Sequence, residues 1–185
     1  MKKSRQDIDK LKSIVSRYPN VVVNVIETDL GPITKVIPVL PLIQDDDKVV
    51  LVDDDVVYKP DMIEGLKKSG GPAVGYAGRK AGLEYINCQG IKSPTQVDFI
   101  ETFAGAMYDG KVLRGLPEYN STLGELCSMQ DDIKIGNFLK LGGVPRVVVP
   151  SKNFCEHDAK DTPQLRDVNL GSGNSVCYKK IFQSI

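Results

Sequence analysis

The chain has 185 residues, with 24 Lys and Arg balanced by 24 Asp and Glu, one His, four Cys and no Trp. That length suits a single domain with a real core, and a charged fraction of 26% argues against wholesale disorder. The missing basic excess speaks against a dedicated nucleic-acid binder. No apolar run approaches the roughly 20 residues of a membrane helix, and the basic start has no apolar stretch behind it to read as a secretory signal.

In chain order, Gln6 to Tyr18 predicts a helix with Ile8, Leu11, Ile14 and Val15 on one face. Tyr18-Pro19-Asn20 ends it, and the β-branched run Val21 to Ile26 predicts a strand. Thr28 to Pro32 is a turn whose proline suits the first position of a helix over Ile33 to Ile43, kinked or shortened by Pro38 and Pro41. After the loop Asp45-Asp46-Asp47, Lys48 to Val52 reads as a buried strand running into a second acidic triplet, Asp53-Asp54-Asp55. Pro60 and Asp61 open a helix carrying Met62, Ile63 and Leu66, closed near Gly70-Gly71, and Ala73 to Tyr76 is a short strand. The alternation predicts an α/β sheet with crossover helices.

The second half is more mixed. Val97 to Thr102 and Ala104 to Tyr108 read as strands, Asp109-Gly110 as a tight turn, Asp131 to Leu141 as a helix ended by Gly142-Gly143, and Val147 to Val149 as a late strand. From Pro150 the pattern fades into a loop-rich tail holding His157. Cys88, Cys127, Cys155 and Cys177 form no CxxC pair and no zinc pattern with one histidine, so reduced thiols in a cytosol-like, cytoplasmic setting are expected, with a disulfide-bonded form as the less favoured alternative.

The two acidic triplets differ in position. Asp45 to Asp47 precede a strand and read as a solvated loop, whereas Asp53 to Asp55 stand at the carboxyl end of one, where open α/β sheets place ligands. Adjacent carboxylates repel unless a cation neutralises them, and hard divalent metals favour oxygen. In an extended segment Asp53 and Asp55 point the same way and can share a metal while Asp54 turns elsewhere. A polar strand end capping the next turn is the plainer alternative.

Asp29-Leu30-Gly31-Pro32-Ile33-Thr34-Lys35, followed by Val50-Leu51-Val52-Asp53-Asp54-Asp55-Val56-Val57-Tyr58, resembles a family of GT-A-fold glycosyltransferases, whose members show a G-P-x-T-K segment and then an apolar strand ending in a DxD motif. The likeness continues more loosely through Ala73 to Gly78, Val97 to Tyr108 and Asp131-Asp132-Ile133, to about residue 150. Relatives are encoded by large DNA viruses that glycosylate their own capsids, the chlorovirus-like group. The resemblance implies a GT-A-like, Rossmann-type mixed sheet flanked by helices in one domain, with residues 1–78 as donor and metal half and residues 79–185 as acceptor half.

It further implies that Asp53 and Asp55 hold Mn²⁺ or Mg²⁺ bridging the diphosphate of a nucleotide-sugar, UDP-linked by preference, with a glycan hydroxyl as acceptor. Asp29, Lys35, Asp53 and Asp54 are then the candidate donor-binding residues, Lys35 meeting phosphate and Asp29 ribose or base; a helix cap and a solvated lysine are the alternatives. Asp131-Asp132 occupies the place of the family's acidic pair, with Asp132 as candidate general base in an inverting reaction; carboxylates in a first helical turn also simply complement the dipole. His157 is a candidate third metal ligand, a surface histidine being the plainer reading. Glu101 and Phe103 would line the sugar pocket, although the family usually has Gly where Thr102 stands. Relatives also open with a strand and a loop ending in Arg, whereas only Lys2-Lys3-Ser4-Arg5 precede the first helix here; either that strand is absent or the sequence starts inside a longer product with further domains. Two rivals stay open: a non-catalytic nucleotide-sugar-binding module, and a metal-dependent nucleotidyltransferase without a P-loop, since no G-x-x-x-x-G-K-[ST] occurs.

Overall fold

The computed structural model describes residues 5–152, 156–157 and 173–182. Helix α1 (Arg5–Val15) comes first, then two 3₁₀ helices, Gly31–Lys35 and Ile37–Leu42. Strands β1 (Lys48–Leu51) and β2 (Val56–Val57), helix α2 (Met62–Ser69) and strands β3 (Ala73–Gly75), β4 (Ala77–Lys80), β5 (Glu84–Asn87), β6 (Thr95–Gln96), β7 (Phe99–Ile100) and β8 (Ala106–Asp109) follow. Helices α3 (Leu116–Leu123) and α4 (Asp131–Leu141), strands β9 (Val147–Val148) and β10 (Glu156–His157), and helix α5 (Gly173–Phe182) complete the order.

The central sheet is mixed and five-stranded, in the order β1-β8-β3-β9-β6. Strands β1 and β3 are both antiparallel to β8 and hence parallel to each other, and β9 is parallel to β3. Their carboxyl ends therefore share one edge. Leu51, Ala106, Gly75 and Val148 stand in register across it, so whatever follows Leu51 and whatever precedes Ala106 meet there. A smaller sheet, β5-β4-β7, and the pair β10-β2 flank that edge.

One core cluster joins Ile33, Val36, Leu40, Leu51, Tyr108, Ile135 and Leu139; the other joins Met62, Leu66, Val74, Tyr76 and Met107. Met62 and Leu66, one helical turn apart, put the buried stripe of α2 on the sheet, and Gly70 (φ 67°) ends that helix. Helix α4 is buried nearly all round. Its Gly136 is what lets it approach β7: a Cβ there would lie 2.2 Å from Phe99 Cβ and 2.8 Å from the Asp98 carbonyl oxygen. The helix is thereby pinned with its first turn at the sheet edge.

Several expectations fail for physical reasons. Val21 to Ile26 forms no strand; strand propensity needs a neighbour to pack on, and Val22 is 85% exposed. The helix over Ile33 to Ile43 is replaced by two 3₁₀ helices, since Pro38 and Pro41 cannot donate to an α-helical ladder. The strand expected over Val97 to Thr102 shrinks to β7 because residues 102–104 turn. Asp109-Gly110 leads into a 3₁₀ helix, Gly110–Leu113, rather than a hairpin. The expectation of reduced thiols fails at one pair, Cys127–Cys177, which is disulfide-bonded across 50 residues and ties α5 to the loop before α4. Cys88 is buried and takes no part in that disulfide, while Cys155 lies outside the described residues. No described helix is long and apolar enough to cross a membrane.

Candidate active site

The edge row places Asp53 two residues beyond Leu51 and the 3₁₀ turn Thr102–Ala104 just ahead of Ala106. Tyr58 stitches the two segments together. The Asp53 N–H donates to Tyr58 Oη at 2.8 Å, and that hydroxyl donates to the Phe103 carbonyl at 2.9 Å. From the other side comes Lys35, at the end of the first 3₁₀ helix, whose Nζ donates to Asp53 Oδ1 (2.8 Å) and to Thr102 Oγ1 (2.6 Å). Asp131 Oδ2 faces the same ammonium at 2.9 Å, though without a well-directed hydrogen bond. Asp132 Oδ1 accepts from Thr102 Oγ1 (2.9 Å) and Thr102 N–H (3.2 Å). Six side chains from four segments thus form one network.

Two backbone features hold it. Gly31 adopts φ 76° and lies so close to the loop before α4 that a Cβ would be 2.4 Å from the Ser128 carbonyl oxygen. The Gly-Pro turn is therefore wedged against the loop leading to Asp131. Asp29 Oδ1 accepts from the Gly31 N–H at 2.8 Å, and Thr34 Oγ1 accepts from the Leu30 N–H at 2.8 Å, closing that turn locally.

The electrostatics are those of a crowded acidic junction around one cation. Burial pushes the Lys35 ammonium towards deprotonation, but Asp131, Asp132 and Asp53 outweigh it, so its pKa is raised and the charge is secure. Asp132 goes the other way. Burial first, and Asp131 beside it second, hold its carboxyl well above the usual carboxylate range; Lys35 and the Thr102 hydrogen bond oppose them, and Glu101 adds to the rise. A shift in this direction makes the ionised carboxylate a stronger proton acceptor. Tyr108, fully enclosed beneath the pair, is pushed far up by burial and then by Asp132 and Asp131.

Of the residues expected from sequence, Lys35, Asp53, Asp131 and Asp132 meet in this network. Asp54 and Asp55 are exposed on the turn beyond Asp53. Asp29 is exposed and engaged with Gly31, so it serves its own turn. His157 was expected in a loop-rich tail; its backbone instead lies in β10, paired with Val56, the residue after Asp55. Glu101 is buried rather than lining an open pocket: Arg79 Nε donates to its Oε1 at 2.7 Å, and Oε2 is enclosed with no hydrogen-bond partner among the described residues. Phe103 is part-buried against the α2 side of the core. A cavity of about 590 Å³, lined by Cys88, Gln89, Ile91, Pro150, Ser151 and Lys152, holds none of these residues. Sequence reasoning missed Tyr58 and Thr102 as builders of the site. The signal for Thr102 was a polar pair, Glu101-Thr102, directly after the buried Phe99-Ile100.

The side chains at the strand end offer carboxylate oxygen, a donor chemistry that fits a hard divalent cation such as Mn²⁺ or Mg²⁺. Among the described residues no cluster of three such side chains is assembled. The chain matches no protein-family model and no curated protein.

Proposed function

We propose that this chain is a metal-dependent glycosyltransferase of GT-A type that moves a sugar from a nucleotide-sugar, UDP-linked by preference, to a glycan hydroxyl with inversion. The observation that carries the reading is the convergence of Asp53, at the carboxyl end of β1, with Asp132, at the start of α4, through Lys35 and Thr102. The sequence likeness around Gly31 to Lys35 and Val50 to Tyr58 supports it, as does a sheet in which one antiparallel strand separates parallel β1 and β3.

Asp53 and Asp55 are the residues to hold the cation, with His157 as a third donor. The cation, when bound, supplies charge that offsets the departing nucleoside diphosphate. Lys35 keeps the Asp53 carboxylate turned to one position and balances the acids behind it. Asp132 takes the proton of the acceptor hydroxyl as that oxygen bonds to the anomeric carbon and the bond to the diphosphate oxygen breaks. The proton rests on Asp132 and the electron pair leaves with the nucleoside diphosphate.

Thermal unfolding with UDP tests donor and cation together. Because a ligand bound only to the native state stabilises it, UDP at about 100 times its Kd should add about 2.7 kcal/mol with Mn²⁺ and far less with EDTA. Asp55→Asn should abolish the Mn²⁺-dependent increment. Equal stabilisation by UDP in EDTA would contradict the reading.

A further inference from the structure

We propose that Thr102 is a positioning residue that decides which oxygen of Asp132 receives the proton: it holds Oδ1 as an acceptor and leaves Oδ2 for the substrate hydroxyl. For the reaction, the assignment rests on the glycosyltransferase reading; for the geometry it does not. An ammonium has donors only, so at 2.6 Å from Lys35 Nζ the Thr102 hydroxyl must accept. Its single proton is then committed to its other neighbour, Asp132 Oδ1, at 2.9 Å. The Thr102 N–H approaches the same oxygen at 3.2 Å, so two donors from one residue fall on one carboxylate oxygen.

Thr102 is 1% exposed, so water has no room to replace the hydroxyl. Glycine, usual at this place in the family the sequence resembles, would offer the N–H alone. The remaining charged or titratable groups facing Asp132 are Asp131 on its own helix, Lys35, Glu101 with its Arg79 partner, and Tyr108. None of them bonds Oδ1, which makes Thr102 the group that fixes the carboxylate's rotation.

Two substitutions separate this role from packing. Thr102→Val keeps the shape and loses the hydroxyl; Thr102→Ser keeps the hydroxyl and loses a buried methyl. Loss of a hydrogen bond to a charged group should lower kcat about 10- to 100-fold in Thr102→Val with donor KM little changed, while Thr102→Ser stays near wild type. A packing role predicts the reverse order, because the Ser variant leaves the cavity. Carbon-13 NMR titration of the Asp132 carboxyl in the protein without substrate gives a second readout: its midpoint should move up in Thr102→Val and hold in Thr102→Ser. That arm needs no turnover, so a wild type that transfers no sugar would defeat the glycosyltransferase reading while the titration still judges Thr102. Should Thr102→Val not fold, Thr102→Ala removes the same hydroxyl. An unmoved Asp132 titration, or normal kcat without the hydroxyl, overturns the assignment.

Discussion

The two acidic triplets have the same composition and opposite surroundings. Asp45 Oδ1 accepts from Arg114 Nε at 2.9 Å, and Asp47 Oδ2 accepts from the Gln44 N–H at 2.7 Å, so these charges serve the turn that feeds β1. That ion pair is open to water, its side chains 48% and 72% exposed. Asp53, beyond the other end of the same strand, meets Lys35, which reaches on to an Asp131 only 10% exposed. What separates the triplets is strand polarity: the amino end of β1 lies among surface turns, while its carboxyl end abuts the start of β8, the Gly-Pro turn and the first turn of α4. A charge cluster acquires chemistry when several elements converge on it, and a loop alone does not supply that.

Breaking the supports of the second triplet should therefore cost more than breaking those of the first. The largest effect is expected from the disulfide next to the loop that braces Gly31: reducing it, or Cys127→Ser, should lower unfolding free energy by about 2–4 kcal/mol, read from urea curves with and without reductant. Unchanged midpoints would show that α5 and that loop are not tied in solution. Lys35→Met removes the cation among Asp53, Asp131 and Asp132, and part-buried acids left unpaired should cost about 2–3 kcal/mol at neutral pH. The exposed pair of the first triplet should be worth under about 1 kcal/mol, so Arg114→Ala should barely move the same curve. Equal losses in the two variants would erase the contrast.

The pH dependence sharpens it further. The Asp132 pKa is higher folded than unfolded, so the native state binds that proton more tightly. Its contribution is fully present below the unfolded value of about 3.9 and is lost as pH rises through the folded pKa. Asp132→Asn should accordingly flatten the fall of melting temperature with rising pH and leave the protein more stable than wild type at neutral pH. Parallel curves for the two proteins would mean that burial does not perturb this carboxyl.

Local signals carried some of this into the sequence and left the rest out. Val49 to Val52 followed by three aspartates marks a strand end plainly, and Asp131 to Gly142 carries its helix limits in its first and last residues. The meeting of Lys35 with Asp53 and Asp131 was not legible, because no periodicity ties a 3₁₀ helix to a strand end and a distant helix. The sequence pattern makes Thr102 the last residue of a strand, and only the turn at residues 102–104 brings its hydroxyl between Lys35 and Asp132. Val21 to Ile26 shows the opposite error, where strong local preference finds no partner strand. Nor did any spacing single out Cys127 and Cys177 from four scattered cysteines.

The proposed function requires Asp53 and Asp132 to belong to one reaction site, donor and cation on one side and proton acceptor on the other. Its most direct measurement is Mn²⁺-dependent sugar transfer from a panel of nucleotide-sugars to glycan acceptors, by wild type and Asp132→Asn, with donor affinity titrated separately. General-base help is worth about 10²–10⁴ in rate, so Asp132→Asn should lose turnover by that factor and bind the donor as tightly as wild type. Near-normal transfer by Asp132→Asn, or no Mn²⁺-dependent transfer by the wild type with any donor, would contradict the account.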